Sequence, residues 1–443
     1  MGKSLPELGM FAGKKISRRK FLKLSGAGLA GVAALGAAAC GGGGGQDQGS
    51  ITFGFGPDQA GGLQKLIDEF NSQHEGDIQV TWREMPASSA EYFEQMQAEL
   101  QSGEATIDVI GGDVIWPAQF AAAGYILDLS DRFNDDMKQD YLDGPVRAVE
   151  YEGRTWGVPW FTDAGMFYYR TDLLEQSGYS EPPLTWEEMK EMGRRVQQGS
   201  GTEYGFVFQG SEDEGGVVDA LEHIWNAGGE VFDGNEVVIN SPEAVAGLTL
   251  RESMIEDGIA PRETGNYTTQ ESQSVFTNGD AIFMRNWPFV YGLLSNEEQS
   301  NVRPEQVGIA ALPVSERGVQ SQSGLGGWNF LVNAASEDKV EEIWTFIEFM
   351  VAPEQQRMFA LESQRLPTLQ SLYEDEEVLQ GAPVASLGYE VLQNARPRPV
   401  EPYYSDMSLR MARQFNASVK GEISPAQALE TLEQELQEIV NQS

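Results

Sequence analysis

The sequence predicts an α/β fold in two domains, and two observations carry that expectation. Strand-like and helix-like patterns alternate from Ile51 to the C-terminal end, and 443 residues are too many for one ordinary hydrophobic core. Ile51-Thr52-Phe53-Gly54-Phe55 reads as a buried strand, after which Leu63, Leu66, Ile67 and Phe70 recur at helical spacing. Ile78, Val80 and Trp82 alternate as a second strand, Phe93, Met96 and Leu100 mark a second helix, and Ile107-Asp108-Val109-Ile110 a third strand. This β-α-β-α-β run predicts a parallel sheet covered by helices. Ligands in such sheets sit just beyond the carboxyl ends of the strands, and Gly111-Gly112-Asp113 occupies one such end.

Beyond residue 150 the pattern continues. Tyr151 to Trp156 reads as a hairpin around Glu152-Gly153, leading through Pro159 to a strand from Met166 to Tyr169. Thr185 and Glu188 form a capping box for a helix carrying Met189, Met192 and Val196, and Tyr204, Phe206 and Phe208 alternate as a strand. Ser241-Pro242 and Ser424-Pro425 each place a cap before proline at the first helical position. Ser336 is expected to begin a helix whose core stripe is Val340, Ile343, Trp344 and Ile347. The expected lobes are 51–160 plus 328–370, and 161–327 plus 371–443.

Composition narrows the function. The chain is 40% hydrophobic and 10% aromatic, that of a folded protein. Its formal charge is −38, which disfavours a nucleic-acid partner and suits either a salt-adapted or a merely acidic secreted protein. One cysteine, Cys40, and two histidines, His74 and His223, leave no basis for a disulfide or a His/Cys metal centre, and no cofactor is expected.

Residues 1–39 read as an export signal. Ser17-Arg18-Arg19-Lys20-Phe21-Leu22-Lys23 precedes a Gly/Ala-rich apolar run, Ser25 to Ala39, too short for a stable spanning helix; this is the pattern of a twin-arginine signal. Ala37-Ala38-Ala39-Cys40-Gly41 is similar to a lipoprotein cleavage box, in which the cysteine becomes the lipid-bearing N-terminus. Ala37 stands where leucine is usual, and the competing reading is a plain Ala-x-Ala cleavage that leaves an incidental thiol. Gly41 to Ser50 would form a flexible tether, placing the protein on the outer face of the cytoplasmic membrane, in a periplasm or at the cell surface.

Nine tryptophans are the main chemical asset, and most should be core. Trp287 and Trp328 differ because each sits at a break in structure: Asn286-Trp287-Pro288 follows a strand from Ala281 to Met284, and Gly326-Gly327-Trp328 precedes one from Asn329 to Asn333. An aromatic face matches the C–H face of a sugar ring while carboxylates and arginine bind its hydroxyls. Candidates for the second kind of group are Asp58, Asp113, Asp163, Arg396 and Arg398. Any of them taken singly is more often a solvated residue or a helix cap.

Read together, DVIGGDVIWPAQFAAA (108–123), GVPWFTDAGMFYYRTDLL (157–174), NGDAIFMRNWPF (278–289), GLGGWNF (324–330) and NARPRPVEPYY (394–404) resemble the extracellular solute-binding proteins of ABC importers, specifically the trehalose/maltose-binding branch. The resemblance runs from Ile51 to the C-terminus. It implies a two-lobed periplasmic-binding-protein-like fold with the sugar held between lobes that close about a hinge, a monomer, and permease transmembrane subunits as partners. On the same basis Asp113 and Asp163 would hold sugar hydroxyls, Trp287 would stack on a ring, Gly326 and Gly327 would line the site with an N–H from Gly327, Trp328 would form a wall, and Arg398 would bind hydroxyls. Arg396 stands where no ligand contact is expected. Asp58 would supply the acid near the start. Where the branch places Thr and a downstream Arg, this chain has Ser88-Ser89 and Tyr92-Phe93 without an Arg; Ser89 is the candidate there, and the sugar itself is left open. Competing readings are a glycoside hydrolase using Asp113 and Asp163, a binding protein for a polyol, oligosaccharide or glycerol-phosphate-type solute, and an adhesion or sensory protein that uses the same lobes without a permease.

Overall fold

The computed structural model describes residues 49–442 apart from 59, 60 and 235. The export signal, Cys40 and nearly all of the glycine tether lie outside the described residues. Within them no helix is long and apolar enough to cross a membrane.

Strand β1 (Ser50–Phe55) buries Ile51, Phe53 and Phe55, and the helix Leu63–Gln73 lays Leu66, Ile67 and Phe70 on the same core. Full burial of each such side chain contributes about 1.5–3 kcal/mol, so this local amphipathicity suffices to seat the helix on the strand. β2 (Gln79–Glu84) and β3 (Val109–Asp113) pair in parallel with β1 on either side, as the β-α-β-α-β pattern predicts. Three further strands complete this sheet: β4 (Val158–Ala164), β9 (Leu325–Val332) and β10 (Leu366–Pro367), giving the order β10-β4-β9-β3-β1-β2. β9 runs antiparallel to both β3 and β4.

A second sheet of four strands has the order β8-β5-β7-β6, from β5 (Met166–Arg170), β6 (Tyr204–Val207), β7 (Ala281–Asn286) and β8 (Val307–Ala310). The helix Trp186–Ser200 covers it with Met189, Met192 and Val196, and its predicted capping box from Thr185 to Glu188 is present. Beside it the helices Glu214–Trp225, Pro242–Glu256, Tyr404–Val419 and Pro425–Gln442 share their own apolar core. The fold is two-lobed α/β, one lobe on each sheet.

The expected lobe limits fall inside packed elements. β4 continues to Ala164 and β9 begins at Leu325, both in the six-stranded sheet, because the two strands pair along Asp163 to Gly326. The helix Pro383–Leu392, beyond residue 370, packs against β4 and β10 as well as β8. Three other expectations are corrected. Trp328 lies inside β9, at a register shift between Trp328 and Asn329, rather than before the strand. Asn333, not Ser336, caps the turn that leads into the helix Val340–Val351; Ser336 is buried and donates to Asp108 Oδ1 at 2.8 Å. Trp344 is half-buried, with the guanidinium of Arg132 over its ring, so the core stripe is carried by Ile343, Phe346, Ile347 and Met350.

Candidate functional site

The carboxyl ends of β1, β2 and β3 and the segments that follow β6 and β7 face one another across a cavity of about 290 Å³. Helices Ser89–Ser102, Glu214–Trp225 and Thr269–Asn278 all begin at its wall, so three helix N-termini with their positive dipole ends converge there. Of the residues singled out in the sequence, Ser89, Asp113, Asp163, Trp287, Gly326, Gly327, Trp328 and Arg398 all line this one cavity.

Trp328 is set in an aromatic cage: Phe55 meets it edge-on at 5.1 Å, Tyr92 stacks at 5.8 Å and Trp116 crosses at 5.7 Å. The Tyr92 hydroxyl lies 2.8 Å from the Gly54 carbonyl and 2.9 Å from that of Gly111, tying the cage to β1 and β3. Glycine at 111 is required by this closeness, since a Cβ there would sit 2.5 Å from the Phe55 ring. Gly327, just before Trp328, has φ 131°, and a Cβ would meet the Phe161 carbonyl oxygen at 2.6 Å. Trp287 follows β7 directly. It lies half-buried across the cavity, with the Arg285 guanidinium 4.2 Å from its ring centroid.

Asp113 ends β3 and accepts from Arg398 Nη2 at 3.4 Å; the same guanidinium donates from Nη1 to Glu214 Oε1 at 2.6 Å and from Nη2 to the Leu325 carbonyl at 3.2 Å. Glu214 also accepts from the hydroxyls of Tyr404, at 2.7 Å, and Ser408. Burial pushes the Asp113 carboxyl up to about 6 against the opposing pull of Arg398. Burial by itself would lower Arg398, but Glu214 and Asp113 hold it above its ordinary value. Asp163, near the end of β4, has Oδ2 3.7 Å from Arg365 Nη1, while its Oδ1 is buried without a hydrogen-bond partner. Burial pushes this carboxyl up to about 7, with Arg365 opposing and the charge of Asp113 adding to the rise. Buried polar atoms without partners, here Asp163 Oδ1, Arg365 Nε and Arg398 Nε, carry a desolvation cost that a polar ligand could relieve.

Asp58 follows the cavity-lining residues Gly56 and Pro57 and is not itself among those that line the wall; its Oδ2 accepts the Leu63 N–H at 2.9 Å, at the start of the helix Leu63–Gln73. Arg396 is not among the residues lining this cavity; it is bound to Glu230 and lies over Trp225. Sequence reasoning missed Arg365 and Glu214. Arg365 follows Gln364, whose left-handed φ of 51° ends the helix Pro353–Ser363, and its guanidinium rests between Phe161 and Phe289 at 4.7 and 4.8 Å. A non-glycine turn of that kind leaves no recognisable signature. Glu214 stands in the first turn of its helix, and its partners Arg398, Tyr404 and Ser408 come from a segment far along the chain. Among the described residues no cluster of three or more His, Cys, Asp or Glu could hold a metal ion.

The comparisons with known proteins agree with this architecture. Residues 56–357 match the bacterial extracellular solute-binding protein family. A probable ABC transporter-binding protein of Deinococcus radiodurans is 32% identical over 365 residues, 80% of this chain and 85% of its own length. Among solved structures, maltose-bound MalE3 of T. maritima superposes with a TM-score of 0.83 at 35% identity, covering 88% of this chain and 99% of that one. The GacH receptor of Streptomyces glaucescens shares the fold, with a TM-score of 0.80 at 21% identity over 89% of this chain and 99% of its own. A family match across most of the folded chain and a relative of this identity over four-fifths of it lead to one conclusion: the chain belongs to the bacterial extracellular solute-binding proteins.

Proposed function

We propose that this protein is the capture subunit of an ABC importer, exported and held outside the cytoplasmic membrane by lipid on Cys40, and that it binds a neutral sugar of mono- or disaccharide size. The observation that carries the reading is the shared wall of one cavity, where two half-buried tryptophans stand beside two desolvated carboxylates and two guanidinium groups. Trp287 and Trp328 offer apolar faces for the C–H surface of a ring, and Asp113, Asp163, Arg365 and Arg398 offer acceptors and donors for its hydroxyls. Each arginine already faces a carboxylate, Arg398 with Glu214 and Asp113, and Arg365 with Asp163. The wall therefore holds no surplus positive charge for a phosphate or carboxylate ligand.

In this reading the lobes built on the two sheets close on the sugar, with Gly326, Gly327, Trp328 and Ser89 contributed by one side and Trp287 by the other. The closed form is what the permease would recognise. The maltose in the 35%-identical T. maritima structure and the transporter role named for the Deinococcus relative support a sugar and an importer, and leave the particular sugar open. Calorimetry of the mature protein over a panel of mono- and disaccharides and polyols tests the reading; failure to bind every neutral sugar would overturn it. Hydrolysis of trehalose or p-nitrophenyl glucosides that disappears in Asp163→Ala would instead favour a glycoside hydrolase. Retention of the wild type in a membrane fraction, with release of Cys40→Ser, is the result expected of the anchor.

A further inference from the structure

Three chain segments connect the lobes side by side. Ser323 Oγ donates to the Gly165 carbonyl at 2.7 Å, the Leu325 N–H to the Arg396 carbonyl at 2.8 Å, and the Arg396 N–H back to Ser323 at 2.8 Å. Against the first two segments lies a fully buried ion pair. Arg285, in β7, donates from Nε and Nη2 to the two carboxylate oxygens of Glu222, each at 2.6 Å, and from Nη1 to Gln209 Oε1 at 3.1 Å. Glu222 Oε1 also accepts the N–H of Gly324 at 2.9 Å. A Cβ on Gly165 would lie 2.2 Å from that oxygen and 2.6 Å from Arg285 Nη2, so the pair fills the space a side chain at the crossing would need. The same guanidinium is the group 4.2 Å from the centroid of Trp287.

A buried ion pair is no more stabilising in itself than apolar side chains of the same volume, so its location calls for another reason. The two-point fork from Arg285 to Glu222 fixes the guanidinium plane, and the indole of Trp287 rests against it. We propose that the Glu222–Arg285 pair is a positioning device that holds the Trp287 ring in register with the segments joining the lobes, leaving its other face to the ligand. Trp287 then meets the ligand as the lobes close, instead of re-orienting afterwards. The benefit for affinity is preorganisation. This inference rests on the reading of the cavity as a sugar site.

The test compares wild type with the double variant Glu222→Gln/Arg285→Met, which strands no charge and keeps an acceptor for the Gly324 N–H. Arg285→Lys, which keeps the charge and loses the fork, serves as a second variant if the first does not fold. Without ligand, the fluorescence component lost on Trp287→Phe should become at least twofold more accessible to acrylamide in the variant. With ligand, calorimetry should show at least a tenfold loss of sugar affinity at an unfolding temperature close to wild type. In a Trp287→Ala background the same substitutions should change affinity less than twofold, because their effect runs through the ring. Unchanged quenching, or an affinity loss that persists in the Trp287→Ala background, overturns the proposal. If quenching rises as expected but wild type binds no sugar, the sugar reading fails and the positioning role stands.

Discussion

Asp163→Asn separates the two burdens that the structure places on this carboxylate. Asp163 is 5% exposed, its Oδ1 has no hydrogen-bond partner and its nearest cation, Arg365, is 3.7 Å away. Burial raises its pKa to about 7, from about 3.9 for an unfolded aspartate. The folded protein thus favours the protonated form. The stability tied to that preference is fully present below about pH 4 and is lost as pH rises through about 7. At 1.36 kcal/mol for each unit, a rise of about three units corresponds to about 4 kcal/mol in all, of which about 3 kcal/mol falls between pH 5 and 8. Asparagine keeps the shape and cannot ionise. Urea unfolding of the unliganded proteins should therefore show Asp163→Asn gaining on wild type by up to about 3 kcal/mol between pH 5 and pH 8, while its sugar affinity falls. A difference that stays flat within about 0.5 kcal/mol across that range, or moves the other way, would refute the reasoning.

Trp287→Ala should weaken sugar binding by about tenfold or more while leaving the urea midpoint of the unliganded protein nearly unchanged; a loss above about 3 kcal/mol would mark the residue as core instead. Trp160→Ala should do the reverse, because its ring is 1% exposed and stacked between Phe330 at 4.8 Å and Phe359 at 5.1 Å. It should cost about 3–5 kcal/mol in denaturation and leave affinity within about twofold. Gly327→Ala should destabilise by about 2 kcal/mol or more in the same assay, since the added Cβ meets the Phe161 carbonyl oxygen at 2.6 Å and the backbone is left-handed.

The elements legible in the sequence were those whose stabilising contacts are close along the chain. Ile51, Phe53 and Phe55 announce β1 by alternation, Leu63 to Phe70 a helix by its stripe, and Thr185 with Glu188 a helix start by reciprocal capping. Reading failed where a distant partner decides the outcome. Asn333 takes the capping place that the sequence assigned to Ser336, and Ser336 is drawn inward by Asp108, more than two hundred residues earlier. Trp328 belongs to β9 because β3 and β4 pair on both sides of it, which its glycine-rich local sequence does not reveal. Eight residues of the cavity wall were legible by resemblance or by position at strand ends. Arg365 and Glu214 were not.

By itself the sequence determined the α/β class, the first three parallel strands, a strongly acidic composition, and the residue types a sugar site requires. Tertiary structure alone decided the rest: that Asp113, Arg398 and Glu214 form one charged cluster, that Arg365 faces Asp163, and that Arg285 lies against the Trp287 ring while its partner Glu222 accepts the Gly324 N–H. The physical reason is the range of the interactions. Hydrophobic periodicity and capping act within a few residues, whereas the strength of a charge pair and the rise in a carboxyl pKa depend on how much water is excluded around them. That exclusion exists only once segments far apart in the chain have packed together.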